Sequence, residues 1–210
     1  MKSEKLKTNE KLKAKGVLRQ AVFVFGCSLF VFNFSFLTAY GQRDYFTLEE
    51  IELIRDAQQL DNRITLLTKI IDRRFAALKN DAGGEPISAK EAEKWGVLPD
   101  ASRRELLWDI RRILEKAIDD IDNLAERPDS MVIDPDAEKD KRKPKKYSDI
   151  FPKAVRILAK AAERYQPALR VELDKTENPA EKGSILASLE MCDQIIAALT
   201  KLPADAKKKD

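Results

Sequence analysis

The stretch TLEEIELIRDAQQLDNRITLLTKIIDRRFAALK, residues 47–79, decides the fold class. Within it Leu53, Ala57, Leu60, Ile64, Leu67, Ile71, Phe75 and Leu78 recur at steps of three or four residues. That is the period of an α-helical face buried along its length, and it predicts one helix from Thr47 to Lys79. The start is marked as well. Thr47 and Glu50 have the spacing of a capping box, and Phe46 is placed to pack on Ile51 as a hydrophobic staple. Glu49, Glu50 and Glu52 suit the positive end of the helix dipole, while Arg73, Arg74 and Lys79 suit the negative end. A stripe this long needs partner helices to cover it.

The chain downstream supplies them. Residues 80–86, with Gly83-Gly84, end the first helix. Ser88 and Glu91 have capping-box spacing over a short connector helix closed by Gly96 and Pro99, with Trp95 as an apolar plug against the bundle. Ser102 and Glu105 repeat the box ahead of Leu107, Ile110, Leu114, Ala117, Ile121 and Leu124, and Pro128 stops that helix. Leu106, Ile113 and Ile118 widen its face enough for two neighbours. A third long helix starts between Asp149 and Pro152 and carries Phe151, Val155, Leu158, Ala162, Tyr165, Leu169 and Leu173. Pro167 lies inside it, yet Leu169 and Leu173 keep the earlier phase, so the pattern predicts a kink within one element. Asn178-Pro179 caps and opens a fourth helix, with Ile185, Leu189, Cys192, Ile196 and Leu199 on its face. No stretch alternates with period two and no repeat recurs. The expected fold is all-α: an antiparallel bundle of about four long amphipathic helices plus one short connector, spanning residues 42–202, with a charged tail at 203–210.

Ahead of the bundle, residues 1–41 have three parts. Lys2, Lys5, Lys7, Lys11, Lys13, Lys15 and Arg19 form a basic segment, an uncharged Phe-rich stretch follows from Ala21 to Ala39, and Ala39-Tyr40-Gly41 supplies small residues before Gln42. This is the layout of a signal peptide cleaved after Gly41. The alternative is an uncleaved membrane anchor, since the apolar stretch approaches the ~20 residues of a span. Val24-Phe25-Gly26-Cys27 resembles a lipoprotein cleavage box, but the apolar run continues past Cys27. Each version carries the body out of the cytoplasm, to the periplasm or medium or onto the outer face of the membrane, and leaves the basic end inside.

The formal net charge of +3 belongs to this leader, which holds seven of the 39 basic and two of the 36 acidic residues. The remaining body has a slight acidic excess, which argues against a nucleic-acid partner. With no histidine in the chain, Ser/His/Asp and Cys/His catalysis, histidine zinc sites and Glu-x-x-His di-iron motifs are all excluded. Once the leader is removed, Cys192 stands alone on an apolar face, as a small buried hydrophobe. Phosphate-binding glycine loops, Gly-x-Ser-x-Gly elbows, Cys-x-x-Cys pairs and dinucleotide fingerprints are absent, and no cofactor is expected.

Two groups of residues remain as candidate sites. The first is a polar network at the middle of the 47–79 stretch: Asp56 and Arg63 on one margin of the apolar stripe and Asp61 on the other, with Arg111 at the equivalent margin of the next long helix. Read structurally, Asp56 or Asp61 pairs with Arg111 and fixes helix register. Read functionally, Asp56 and Asp61, joined by Asp109 or Asp120, bind calcium or magnesium or act as an acid/base pair on a glycan. The second is residues 128–147, which carry charge without periodicity and read as a flexible linker. Its Lys139, Lys141, Arg142, Lys143, Lys145 and Lys146 form a candidate contact for anionic headgroups or polymer. The tandem arginines Arg73-Arg74, Arg103-Arg104 and Arg111-Arg112 suggest either an anion surface or local i,i+4 pairing. The function expected first is a non-enzymatic exported bundle that binds a protein or envelope component. A membrane-tethered protein using the basic loop comes second, and a histidine-free hydrolase or divalent-metal binder third.

Overall fold

Local capping chemistry sets three of the helix starts. Thr47 and Ser102 each close a reciprocal box with the Glu three residues on, and Asn178 accepts from the Ala180 amide ahead of Pro179 at the first helical position. The computed structural model describes residues 44–127 and 147–202, and within them the chain forms six helices and no strand. These are α1 Leu48–Asp56, α2 Leu60–Ala77, α3 Ala89–Trp95, α4 Arg103–Glu126, α5 Tyr147–Asp174 and α6 Pro179–Leu199. The expected leader, tail and basic run Lys139–Lys146 lie outside the described residues. No helix among the described residues is long and apolar enough to cross a membrane.

The 47–79 stretch makes two helices rather than one. Ala57 leaves helical geometry at φ −81°, ψ 71°, and Gln59 is extended. Arg63 reaches back across the gap, its Nε donating to the Ala57 carbonyl at 2.9 Å and its Nη2 to that of Gln58 at 3.5 Å. These are carbonyls that the end of a helix leaves without internal partners. The break has a large consequence. In a straight helix Glu50 and Arg73 would stand roughly 35 Å apart at 1.5 Å per residue, yet here they touch at 3.2 Å. The chain has folded α1 back along α2.

Other boundaries differ in smaller ways. α2 ends before the glycines, in a complete Schellman turn: the Asn80 amide donates to the Phe75 carbonyl at 2.9 Å and the Lys79 amide to that of Ala76 at 3.0 Å. Lys79 takes the left-handed position, φ 57°, that glycine usually fills. The box at Ser88 does not close, since its hydroxyl engages the Glu91 side chain rather than a backbone amide. Trp95 at the end of α3 is buried, as a plug should be. α5 starts at Tyr147, inside the expected linker, where Tyr147 stacks on Phe151, and it runs unbroken through Pro152 and Pro167.

The directions of the long helices follow from their cross-contacts. Asp61–Lys153, Asp72–Arg164 and Asn80–Glu172 all join residues 92 apart, so α2 and α5 run parallel. Arg74–Asp109 and Arg63–Asp120 run in opposite senses, so α2 and α4 are antiparallel. α5 and α6 form an antiparallel hairpin, with Gln166 bonded to Asp193. Successive long helices thus alternate direction. Around the bundle the order is α2, α4, α6, α5, which leaves α4 and α5 on a diagonal despite being consecutive. The core between them is apolar and closed: Ile64, Leu67, Ile71 and Phe75 meet Ile110, Leu114, Leu158 and Leu169, all essentially without solvent contact. Burying side chains of this size stabilises by about 1.5–3 kcal/mol each.

Candidate binding cleft and the charge clusters around it

Three clusters of buried or half-buried charge border the bundle, and two of them hold the walls of a cleft. The first centres on Glu50. Its carboxylate accepts from Arg73 Nε at 3.2 Å, from Arg74 Nη1 and Nη2 at 2.7 and 2.6 Å, and from the Thr47 amide at 3.0 Å. Arg74 Nε continues to Asp109 at 3.1 Å, and its Nη2 also donates to the Tyr45 carbonyl at 2.7 Å. Arg74 is only 1% exposed, and Glu50 and Asp109 are fully enclosed. Two cations and two anions balance, as a buried cluster requires. One carboxylate therefore serves as helix cap, tie between α1 and α2, and counter-ion.

Arg73 faces outward from the same cluster. Its Nη2 donates to the Val97 carbonyl at 2.5 Å, its Nη1 to that of Gly96 at 3.5 Å, and its guanidinium lies 5.5 Å from the Trp95 ring centre. The neighbouring Asp72 does the same for the other end of the 80–98 segment. Arg164 bridges Asp72, at 3.2 Å, and the Ala82 carbonyl, at 2.7 Å. Gly84 passes so close that a Cβ there would fall 2.3 Å from the Asp72 carboxylate. Burial raises the Asp72 carboxyl above its ordinary value, and the Arg164 guanidinium only partly offsets this. Behind it Tyr165 donates to the Thr68 carbonyl at 2.9 Å, and burial pushes its phenol well above the usual range.

Two consecutive residues of α2 thus pin the two ends of a strap. Beneath it opens a cleft of about 550 Å³. Its floor is the α2 face formed by Lys69, Asp72, Arg73 and Ala76, and its roof includes Ile87, Ala92 and Leu98. The volume lies within the ~300–1,000 Å³ typical of ligand pockets. The lining contains no serine, threonine, tyrosine or cysteine, so no hydroxyl or thiol nucleophile faces it. Its walls offer apolar surface between charged rims.

The third cluster ties the end of the bundle where the C-termini of α2 and α5 meet the N-termini of α4 and α6. Arg103 contacts the Glu172 carboxylate, donates to the Glu172 carbonyl at 2.9 Å and reaches Glu181 at 3.1 Å. Asn80 and Lys175 add bonds to Glu172 at 2.7 and 2.8 Å. Burial alone would raise the Glu172 carboxyl, but Lys175, Arg103 and Asn80 outweigh it and hold it below its ordinary value.

The structure does not bring the expected polar network together. Asp56 is exposed at the end of α1, while Asp61 is buried across the break and paired with Lys153 of α5 at 2.6 Å. Arg63 caps the break and approaches Asp120 at 4.0 Å. Arg111 pairs within its own helix, with Glu115 at 2.8 Å. Asp109 belongs to Arg74, and Asp120 also meets Lys116. Among the described residues no group of three or more carboxylates or thiols stands together as a metal site. Of the tandem arginines, Arg73-Arg74 lie inside rather than on an anion-binding face, and Arg112 pairs with Glu115 and lies over Tyr45 and Trp108. One signal did point to Arg74. It lies three and four residues beyond Ile71 and Ile70, in phase with the buried face.

Fold and site together define a small all-helical bundle with a strapped, mixed apolar and charged cleft. Compared with known proteins, the chain matches no family model, no curated protein and no solved structure.

Proposed function

We propose that this chain is an exported, non-enzymatic binding module whose cleft receives a short segment of a protein or of a cell-envelope component. The observation that carries the reading is the cleft itself: about 550 Å³ standing open between α2 and the strap, its two ends pinned by charge clusters. Preformed walls lower the ordering cost of binding. The leader supports export, because a basic segment, an apolar stretch and a small-residue site precede the body by only a few residues.

Filling the cleft tests this. Ala76 is exposed on its floor, so Ala76→Trp occupies the space without disturbing the core. Purified wild-type body is expected to bind isolated cell envelopes saturably, with Ala76→Trp at least tenfold weaker and equally helical. Equal binding by Ala76→Trp defeats the proposal. If binding is lost instead on changing Lys139, Lys141, Arg142, Lys143, Lys145 and Lys146 to Gln, the basic run contacts the anionic surface and the tethered reading replaces it. Mass spectrometry of the exported chain is expected to find Gln42 at its start. An intact Met1 in the membrane fraction would show an anchor.

A further inference from the structure

The end of the bundle away from the Arg103–Glu172 cluster carries a second hollow. It holds about 210 Å³ between α4, α5 and α6, and Ile118, Ile121, Val155, Leu158, Ile195 and Ala198 line it. Asp122 and Gln194 complete the wall, and both are exposed. Asp122 is the one charged residue of the lining, so a polar or ionic ligand finds little to hold. Apolar side chains fit better. An apolar cavity of about 150 Å³ takes up benzene, so this one has room for about two aliphatic side chains. Its deeper walls are already packed, with Leu158 1% and Val155 5% exposed, and need no rearrangement to receive them.

Whatever fills the hollow must bring apolar side chains to this end of the bundle. Three stretches of chain lie outside the described residues. The leader joins ahead of α1, which packs on α2 and α3. The tail follows α6 close to Ala198, but it reads PADAKKKD and offers nothing apolar larger than proline. The join between α4 and α5 remains. α4 ends at Glu126, about one turn past Asp122, and α5 starts at Tyr147, about two turns before Val155. Both ends of the join therefore stand at the hollow. Its sequence is polar or charged almost throughout, and its one run of large apolar side chains is Met131-Val132-Ile133, followed by Asp134-Pro135-Asp136. From Arg127 to Ile133 the chain can extend about 20 Å, while Ile121 lies only about 8 Å back along α4 from its end. The triplet reaches the hollow with length to spare.

We infer that Met131, Val132 and Ile133 dock into the hollow between α4, α5 and α6, so that the chain's own join completes the apolar core at that end. The drive is the removal of water from apolar surface on both sides. Val132 and Ile133 are β-branched and stiff, so fixing them costs little side-chain freedom. The docking uses none of the residues of the cleft beneath the strap and needs no partner molecule. It goes beyond the binding proposal and stands or fails separately from it.

Disulfide trapping in the full-length chain tests it. Cys27→Ser removes the leader thiol, and Cys192 is buried. Gln194→Cys is then combined, in separate chains, with Ser130→Cys and with Asp134→Cys, the positions that flank the triplet. A bond needs Cα atoms within about 7 Å. Under mild oxidation with diamide an intrachain bond is expected from at least one pair. It is expected to form about tenfold more slowly once Met131, Val132 and Ile133 are all changed to Ser, a factor that the burial of one such side chain already reaches. Ala198→Trp fills the hollow from its own wall and is expected to slow the bond as well. Failure of both pairs to close overturns the inference, and so does a rate that the serine triplet or Ala198→Trp leaves unchanged, because the tether alone would then bring the thiols together. A bond that joins two chains overturns it too, since a second copy would then fill the hollow.

Discussion

Glu50→Gln is the sharpest perturbation the fold offers. The Glu50 carboxylate accepts four hydrogen bonds, three from guanidinium groups and one from the Thr47 amide. An amide in its place keeps one acceptor oxygen, turns a donor toward Arg73 and Arg74, and leaves two cations facing the single charge of Asp109. Removing one member of a buried ion pair costs about 3–5 kcal/mol, and a weakened cap lies within the same figure at about 0.5–2 kcal/mol. For a domain of this size each kcal/mol lowers Tm by about 2–4 °C, so the expected fall is roughly 6–20 °C. Urea unfolding followed by circular dichroism at 222 nm measures it. The midpoint is expected to drop with an unchanged slope, because α1 and the core unfold together. A loss below about 1 kcal/mol, the value of an exposed pair, would refute the reasoning. It would mean that α1 detaches freely and that water reaches the arginines. Replacing Arg73 by Met in the Glu50→Gln background should restore part of the loss, since Glu50 is the carboxylate paired with Arg73 whereas Arg74 keeps Asp109.

Other outcomes follow from single residues. Lys79→Gly relieves a left-handed lysine in an otherwise complete Schellman turn and is expected to stabilise by about 0.5–1 kcal/mol in the same urea assay. Glu172, held below its ordinary carboxyl value, contributes stability that is full above the unfolded value and disappears as pH falls through the folded one. Wild type should therefore lose more stability than Glu172→Gln between pH 6 and pH 3, approximate bounds set by the ordinary carboxyl range, and parallel curves would contradict this. Burial, with Asp193 adding to it, pushes the Cys192 thiol up to about 12. It is expected to ignore iodoacetamide in the folded body and to react once urea unfolds it.

What the sequence showed and hid divides along the range of the interactions. Capping boxes at Thr47 and Ser102, the Asn178-Pro179 start and the four long stripes were legible, because their partners lie within one or two helical turns. The continuity of α5 through Pro167 was legible too, since Leu169 and Leu173 kept the phase. The gap at residues 57–59 was not. No glycine or proline marks it, and Ala57 and Leu60 continue the apolar spacing across it. What opens it is tertiary: α1 gains Arg73 and Arg74, more than twenty residues away, by folding back. For the same reason Asp61 looked like a partner for Arg111 on register alone, whereas Lys153 takes it from a helix that the chain reaches after another 92 residues. The cleft depends on where the strap is tied, and those ties join Arg164 to Ala82 and Arg73 to Val97. Nothing in local spacing announces them.

The diagonal placement of α4 and α5 bears on the segment that joins them. Helix axes in a bundle stand about 8–10 Å apart, so the diagonal is roughly 14 Å. At about 3.3–3.6 Å per extended residue, four or five residues would cross it. The chain spends residues 128–146 on that passage, several times what connectivity demands. Joining the two rods thus takes only a fraction of the residues available, and a shorter join would leave the four-helix arrangement unchanged.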